Sequence, residues 1–261
     1  MNLRHSPVCA LSIAGSDSSG GAGVQMDLKT FAACGVHGLS AITAVTAQST
    51  SRVLSIHHVP VRQLESQLRA VLDDFPVAAI KIGMLGSTAN VRCVAQVLRQ
   101  QPIRRIVLDP VLAASSGARL LSARGLRALK QDLVPCVDLL TPNLPEAAHL
   151  LGDRITDPVR AATALRDLGA RAVLLKGGHG SGRVVRDVLV TADATTMFTH
   201  PRRRDGARGT GCALSSAITA GLARGMTIHD AVAAGEAFVQ QAMENGFRAG
   251  RGKMRLLATF A

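Results

Sequence analysis

Residues 8–23 read VCALSIAGSDSSGGAG, a mostly apolar run that ends in a glycine-rich polar loop. A strand with apolar residues on both faces belongs inside a parallel sheet covered by helices on both sides; alternation would have left one face in water. Similar runs follow at LSAITAVTAQ (39–48), AAIKIGML (78–85), RIVLDPVL (105–112), VDLLTPN (137–143) and AVLLKGG (172–178). Helical spacing fills the gaps. Val61, Leu64, Leu68, Val71, Leu72 and Phe75 form one stripe, Val91, Val94 and Leu98 another, and SARGLRALKQDLV (122–134) a third. Two shorter runs, VRDVLV (185–190) and TTMFTH (195–200), predict a small antiparallel extension. After Cys212 the pattern turns helical to about Arg224, breaks at Gly225 and resumes from about Thr227 to Asn245. The expected fold is α/β: a mainly parallel central sheet with helices on both faces. Without a linker, repeat or low-complexity tract, residues 1–261 read as one domain.

The bulk composition narrows the function classes. Hydrophobic residues make up 47% of the 261, enough for a sizeable core, and aromatics only 2%, so that core is aliphatic. The net charge of +12 invites a nucleic-acid reading. Its distribution argues otherwise: the arginines are scattered, the one tight run is Arg202-Arg203-Arg204, and the aromatics on which single-strand readers stack bases are nearly absent. The five cysteines, Cys9, Cys34, Cys93, Cys136 and Cys212, form no CxxC pair, which suits a reducing compartment. No stretch has the length of a membrane span or a signal sequence, so the expected location is cytoplasmic, with no membrane partner.

In an open parallel sheet, ligands bind beyond the carboxyl ends of the strands. There the sequence places GSDSSGGAG (15–23), Gln48, Met84, Asp109-Pro110, Asn143-Leu144-Pro145-Glu146 and Lys176-Gly177-Gly178 in turn. The first loop nearly fits P-loop spacing from Gly15 to Gly20, but Gly21 stands where that motif needs lysine, and no GxGxxG is present. It reads as a substrate loop or a plain turn. Asn143 and Glu146, three apart at a helix start, suit either a hydrated Mg²⁺ or a capping box, and taken alone the cap is the better reading. Lys176 could neutralise nucleotide phosphates or reach solvent, and Asp109 could orient a metal-bound water or start a turn. Gly209, Thr210 and Gly211 open an apolar helix, where backbone N–H groups and the helix dipole make an anion site. Cys212 then sits where a thiolate should be favoured, unless it is merely a buried small residue.

The ordered set ALSIAGSDSSGGAGVQMDLKTF, AVTAQST, KIGML, VLDPVL, LLTPNLPEAAHLL, LLKGGH and RGTGCALSSAI resembles the hydroxymethylpyrimidine/phosphomethylpyrimidine kinases of the ribokinase superfamily. The resemblance implies a ribokinase-like fold and ATP-Mg²⁺-dependent phosphorylation of an aminopyrimidine and of its monophosphate, in thiamine biosynthesis, by a homodimer. By position it implies that Gly15, Asp27, Gln48, Met84 and Val111 line the pyrimidine pocket. Asp109, Asn143 and Glu146 would organise Mg²⁺, and Lys176, with Thr210 and Gly211, would meet the ATP phosphates. Gly209, Thr210, Gly211 and Cys212 would form the catalytic anion hole, with Cys212 as candidate base. A pyridoxal-type vitamin kinase and a catalytically impaired ligand-binding paralogue are the alternatives. The chain departs from the family pattern in three places: Arg208 replaces a histidine, Ser115 a lysine, and RAGRGKMRLLATFA a glycine- and histidine-rich C-terminus.

Overall fold

The computed structural model describes residues 7–113, 120–180, 182–203 and 206–259; Ser115 and Arg204 fall outside these. Its chain order starts β1 (Cys9–Asp17), α1 (Gly23–Ala33), β2 (His37–Gln48), β3 (Val53–His58), α2 (Val61–Asp74), β4 (Val77–Ile82), α3 (Thr88–Arg99) and β5 (Ile106–Leu108). It continues α4 (Ala123–Ala128), β6 (Leu139–Leu140), α5 (Leu144–Leu151), α6 (Pro158–Arg166), β7 (Ala172–Leu175), β8 (Val184–Val190) and β9 (Thr195–Pro201). The last elements are β10 (Ala207–Arg208), α7 (Thr210–Ala223), α8 (Ile228–Glu244) and β11 (Arg255–Leu256).

Nine strands form one sheet in the order β3-β2-β1-β4-β5-β6-β7-β8-β9. The six from β2 to β7 run parallel, while β3 at one edge and β8 and β9 at the other are antiparallel. The chain leaves β1 toward β2 and later returns to its other side as β4. The crevice between the carboxyl ends of β1 and β4 is therefore a topological switch point, where such sheets bind ligands.

Apolar burial follows the two faces. Leu64, Leu68, Val91, Val94, Leu150 and Leu165, from α2, α3, α5 and α6, close one side in a single cluster with Ile13 and Ile80. On the other side Leu214, Ile218 and Val239 of α7 and α8 pack on Val107, Leu139 and Leu174. Helix α7 is buried from Ala213 to Ala223, and its run of small residues lets it lie against the sheet beneath α1 and α8.

Two elements differ from the sequence expectation for local reasons. RIVLDPVL and VDLLTPN keep only three and two strand residues because Pro110 and Pro142 lack the N–H a ladder needs. SARGLRALKQDLV is α-helical only to Ala128 and then widens into a π-helical turn, Leu129–Leu133. Among the described residues, no helix is long and apolar enough to cross a membrane.

Candidate active site

The opening glycine loop and the Gly209 loop meet backbone to backbone. Gly209 takes φ +76°, and a Cβ there would run into the carbonyl oxygen of Gly21. Gly23, at φ +57°, is pressed the same way against the Gly15 carbonyl. Only glycine satisfies both the left-handed backbone and the close approach. Gly209 is the N-cap of α7 and brings no side-chain cap, so the first-turn N–H groups are left to serve something else.

What those N–H groups face is set by β5 and β7. Asp109 and Lys176 stand just beyond the ends of these strands, and Lys176 Nζ donates to Asp109 Oδ1 at 2.8 Å. A Cβ placed on Gly211 would lie 3.3 Å from Lys176 Nζ and 3.6 Å from Asp109 Oδ2. Glycine loop, ammonium and carboxylate thus converge on the wall of a cavity of about 890 Å³. Burial works against the Lys176 charge, but Asp109 and Glu146 outweigh it and raise its pKa above the ordinary lysine value.

Asn143 and Glu146 form the capping box that the spacing predicts. The Glu146 N–H donates to Asn143 Oδ1 at 2.9 Å, and the Asn143 N–H donates to Glu146 Oε2 at 2.9 Å. Both still line the cavity. Burial, reinforced by the like charge of Asp109, pushes the Glu146 carboxyl up to about 7, against the opposing pull of Lys176 and the Asn143 N–H. A carboxyl so placed gains from a cation beside it.

The other end of the cavity is built by β1, β2 and β4. Gly15, Gln48, Met84 and Val111 all line it. The position for a Cβ on Gly15 lies 3.1 Å from Met84 Sδ, which leaves a slot between β1 and the segment after β4. Gln48 is anchored through its backbone, its N–H and carbonyl both bonded to the Ser18 hydroxyl at 2.8 and 2.7 Å. Its side-chain amide forms no hydrogen bond among the described residues, leaving a donor and an acceptor on the cavity wall.

Two expectations are corrected. Asp27 does not line the cavity: it is fully buried and accepts from Ser12, Ser216 and both approaches of Lys81 Nζ, at 2.6 to 2.9 Å. With four hydrogen bonds from three side chains on it, Asp27 holds Lys81 at the cavity floor and has no oxygen left for a ligand. The Cys212 thiol is not shifted toward thiolate. Burial, with Asp27 and Asp109 adding to it, pushes it up to about 11, although Lys81 and the Gly23 N–H pull the other way. The helix N-terminus that should favour the thiolate is outweighed by its surroundings.

Arg208 is a tie. It donates to the Ser49 carbonyl at 2.9 Å and stands 3.7 Å from Asp17 Oδ2, joining the Gly209 loop to the β2–β3 turn and the opening loop. Pairing of β10 with β11 lays the C-terminal segment beside it, and the Gly252 N–H reaches Thr50 Oγ1 at 3.0 Å. Arg202, in the basic run, donates to backbone carbonyls of the loop after Lys176; Arg203 pairs with Glu244.

Sequence reasoning missed Lys81, which lines the floor, and a group further along the cavity wall: Asp187, His200 and Glu236. Burial and the neighbouring Asp187 charge push Glu236 up to about 9. The neighbouring Asp187 carboxylate raises the His200 pKa despite burial, and Asp187 itself is lowered because the His200 imidazole and the Gly177 N–H outweigh its burial. Each of the three lies in a different element, so no local spacing marks them.

Comparison with known proteins agrees with this architecture. The phosphomethylpyrimidine kinase family model matches residues 17–256. A hydroxymethylpyrimidine/phosphomethylpyrimidine kinase of Haemophilus influenzae is 44% identical over 250 residues, covering 93% of each chain. The crystal structure of phosphomethylpyrimidine kinase from Clostridium difficile 630 superposes with a TM-score of 0.81 at 37% identity, covering 90% of this chain and 99% of that one. A Staphylococcus aureus pyridoxal kinase in complex with AMP-PCP and pyridoxal gives 0.87 at 30% identity, covering 97% and 93%. The fold is shared between both kinds of vitamin kinase, while the family match and the higher sequence identities single out one of them: this chain belongs to the phosphomethylpyrimidine kinase family.

Proposed function

We propose that the protein transfers the γ-phosphoryl group of ATP to the hydroxymethyl oxygen of 4-amino-5-hydroxymethyl-2-methylpyrimidine, and then a second phosphoryl group to the monophosphate. The observation that carries this reading is the convergence of Gly211, Lys176 and Asp109 at one end of a cavity whose other end presents Gln48, Met84 and Gly15. The slot takes a flat ring, and the Gln48 amide matches a ring nitrogen beside an exocyclic amine.

Phosphoryl transfer depends on positioning and charge neutralisation more than on covalent help from the protein. The substrate oxygen bonds to the γ-phosphorus as the bond to the ADP oxygen breaks. Lys176 compensates the phosphate charge, and the N–H groups of Thr210, Gly211 and Cys212 face the oxygens of the transferring group. The hydroxyl proton leaves late in such a reaction, so a Cys212 thiol with its pKa pushed up to about 11 serves as acceptor only through its ionised minority. Asp109 and Glu146, two carboxylates beside one lysine, suit a divalent cation, and Asn143 offers its side-chain oxygen next to them. Mg²⁺ held there would neutralise charge on the β- and γ-phosphates. A homodimer is the form expected from the resemblance, and a cytoplasmic location the one expected from the cysteine usage.

Product analysis with Mg-ATP and the aminopyrimidine, its monophosphate, or pyridoxal tests the reading. Accumulation of the pyrimidine diphosphate is the expected result. Turnover of pyridoxal alone would replace the substrate assignment, and binding without turnover would make the protein a silent relative.

A further inference from the structure

Asp187 on β8, His200 on β9 and Glu236 on α8 form a second polar centre. Strand pairing places it: His200 sits opposite Val185 and Phe198 opposite Asp187, so His200 and Asp187 are diagonal neighbours on one face of the sheet. Helix α8 covers that face and aims Glu236 at them from the stripe that also buries Val232 and Val239. His200 Nε2 lies 3.5 Å from Glu236 Oε2 and 3.8 Å from Asp187 Oδ2, too far for a good hydrogen bond to either. All three donor atoms lie within 4.8 Å of one another.

The surroundings orient each donor. Asp187 Oδ1 accepts the Gly177 N–H at 2.6 Å, which turns Oδ2 toward the group. His200 Nδ1 lies 3.1 Å from Gln240 Nε2, a donor as oriented, and 3.4 Å from the Pro201 carbonyl; turning the Gln240 amide by half a rotation places its oxygen there instead, so that Nδ1 carries the proton and the Nε2 lone pair faces the carboxylates. Glu236 is 8% exposed, and its Oε1 has no hydrogen-bond partner. Buried carboxylate oxygens are seldom left so, because the desolvation cost is not recovered. Three electron-pair donors facing one another need a cation between them, either a proton or a metal ion.

We infer that Asp187, His200 and Glu236 form a binding site for a divalent transition ion of the zinc or cobalt class, separate from the Asp109 and Glu146 carboxylates. With metal–ligand bonds of about 2.1 Å, the two measured separations correspond to angles at the ion of about 113° and about 130°, close to tetrahedral rather than octahedral. The imidazole ligand and that geometry select zinc or cobalt over magnesium. Two carboxylates and a neutral imidazole balance a 2+ ion in a partly desolvated wall, and the fourth position faces the cavity that these residues line. Such an ion would sit on the Gly177 side of Lys176 and brace the loop that follows it.

Titration of the chelator-treated full-length protein with Co²⁺, followed by visible absorption and equilibrium dialysis, tests this. The expected result is that the strong absorption of tetrahedral cobalt saturates at one equivalent, any further cobalt taken up at Asp109 and Glu146 adding only the weak absorption of an oxygen-rich site. His200→Gln abolishes the band, Gln240→Ala weakens binding by about tenfold through the imidazole it orients, and Glu146→Gln leaves it intact. Circular dichroism melts of each variant separate loss of the ion from loss of the fold. Absence of a one-equivalent site in the parent protein overturns the inference, as does a tetrahedral band that survives His200→Gln. So would an imidazole that stays protonated between the carboxylates in the presence of Co²⁺.

Discussion

The two lysine–aspartate pairs near the cavity, Lys81 with Asp27 and Lys176 with Asp109, have the same composition and opposite surroundings. Lys81 and Asp27 are fully buried, and Ser12 and Ser216 add their hydroxyls to the carboxylate. Every polar atom there has a partner within the fold. Lys176 and Asp109 stand at strand ends with a second carboxylate, Glu146, beside them, and with a glycine loop rather than side chains facing them. The first pair is closed on itself; the second, on the proposed reading, keeps contacts for a charged ligand. If the proposed function holds, one chemical pair is structural where saturated and functional where left short of partners.

Breaking the closed pair has the largest expected effect. Asp27→Ala leaves a buried ammonium without its counter-charge and should lower stability by about 3–5 kcal/mol, measured by urea denaturation. Adding Lys81→Met to Asp27→Leu should recover part of that loss; a double variant no more stable than Asp27→Ala would show that Lys81 is not the reason. Lys176→Met should instead reduce turnover by about 10²–10³-fold while moving the melting temperature less than Asp27→Ala does. Equal losses of stability in the two variants would erase the contrast.

A finer test uses pH. The Glu146 carboxyl is raised in the fold to about 7, so its favourable contribution is fully present below its unfolded pKa and is lost as pH rises through about 7. Metal-free wild-type protein should therefore lose stability relative to Glu146→Gln, which keeps the capping box, between about pH 4.5 and 7. A constant difference across that window would show that Glu146 ionises normally. Cys212→Ser should have the smallest effect, within about tenfold in kcat, since a thiol raised to about 11 is mostly protonated at neutral pH. A steeper loss, with a rising alkaline limb present only in the wild type, would restore the cysteine as the principal base.

The parallel centre of the sheet was legible because β1, β2, β4 and β7 are long or apolar enough to declare themselves, and the glycine loops because backbone demands appear in sequence as glycine. Strand β3 escaped because VLSIHH lies at an edge and is largely exposed, with no apolar period to betray it. Within the site, the capping box spans three residues and could be read directly. The Asp27–Lys81 pair spans 54 residues and exists only once β1, α1, β4 and α7 are assembled. Asp27 was assigned to the substrate for the same reason: position in a motif names a neighbourhood, not the direction of a side chain. His200 and Glu236 sit in an antiparallel strand and a helix whose hydrophobic patterns account for their neighbours, and their meeting is tertiary.

The clasp of Arg208 on Ser49 joins residues 159 apart, and the Gly252–Thr50 contact joins residues 202 apart. Closing contacts of such span is among the slow events of folding, since the intervening chain must first be ordered. A growing chain that has emerged only as far as β9 carries the ring slot but not the loop that faces it. Binding competence therefore waits on the segment after β9, which brings the Gly209 loop and α7 to the rest of the cavity wall.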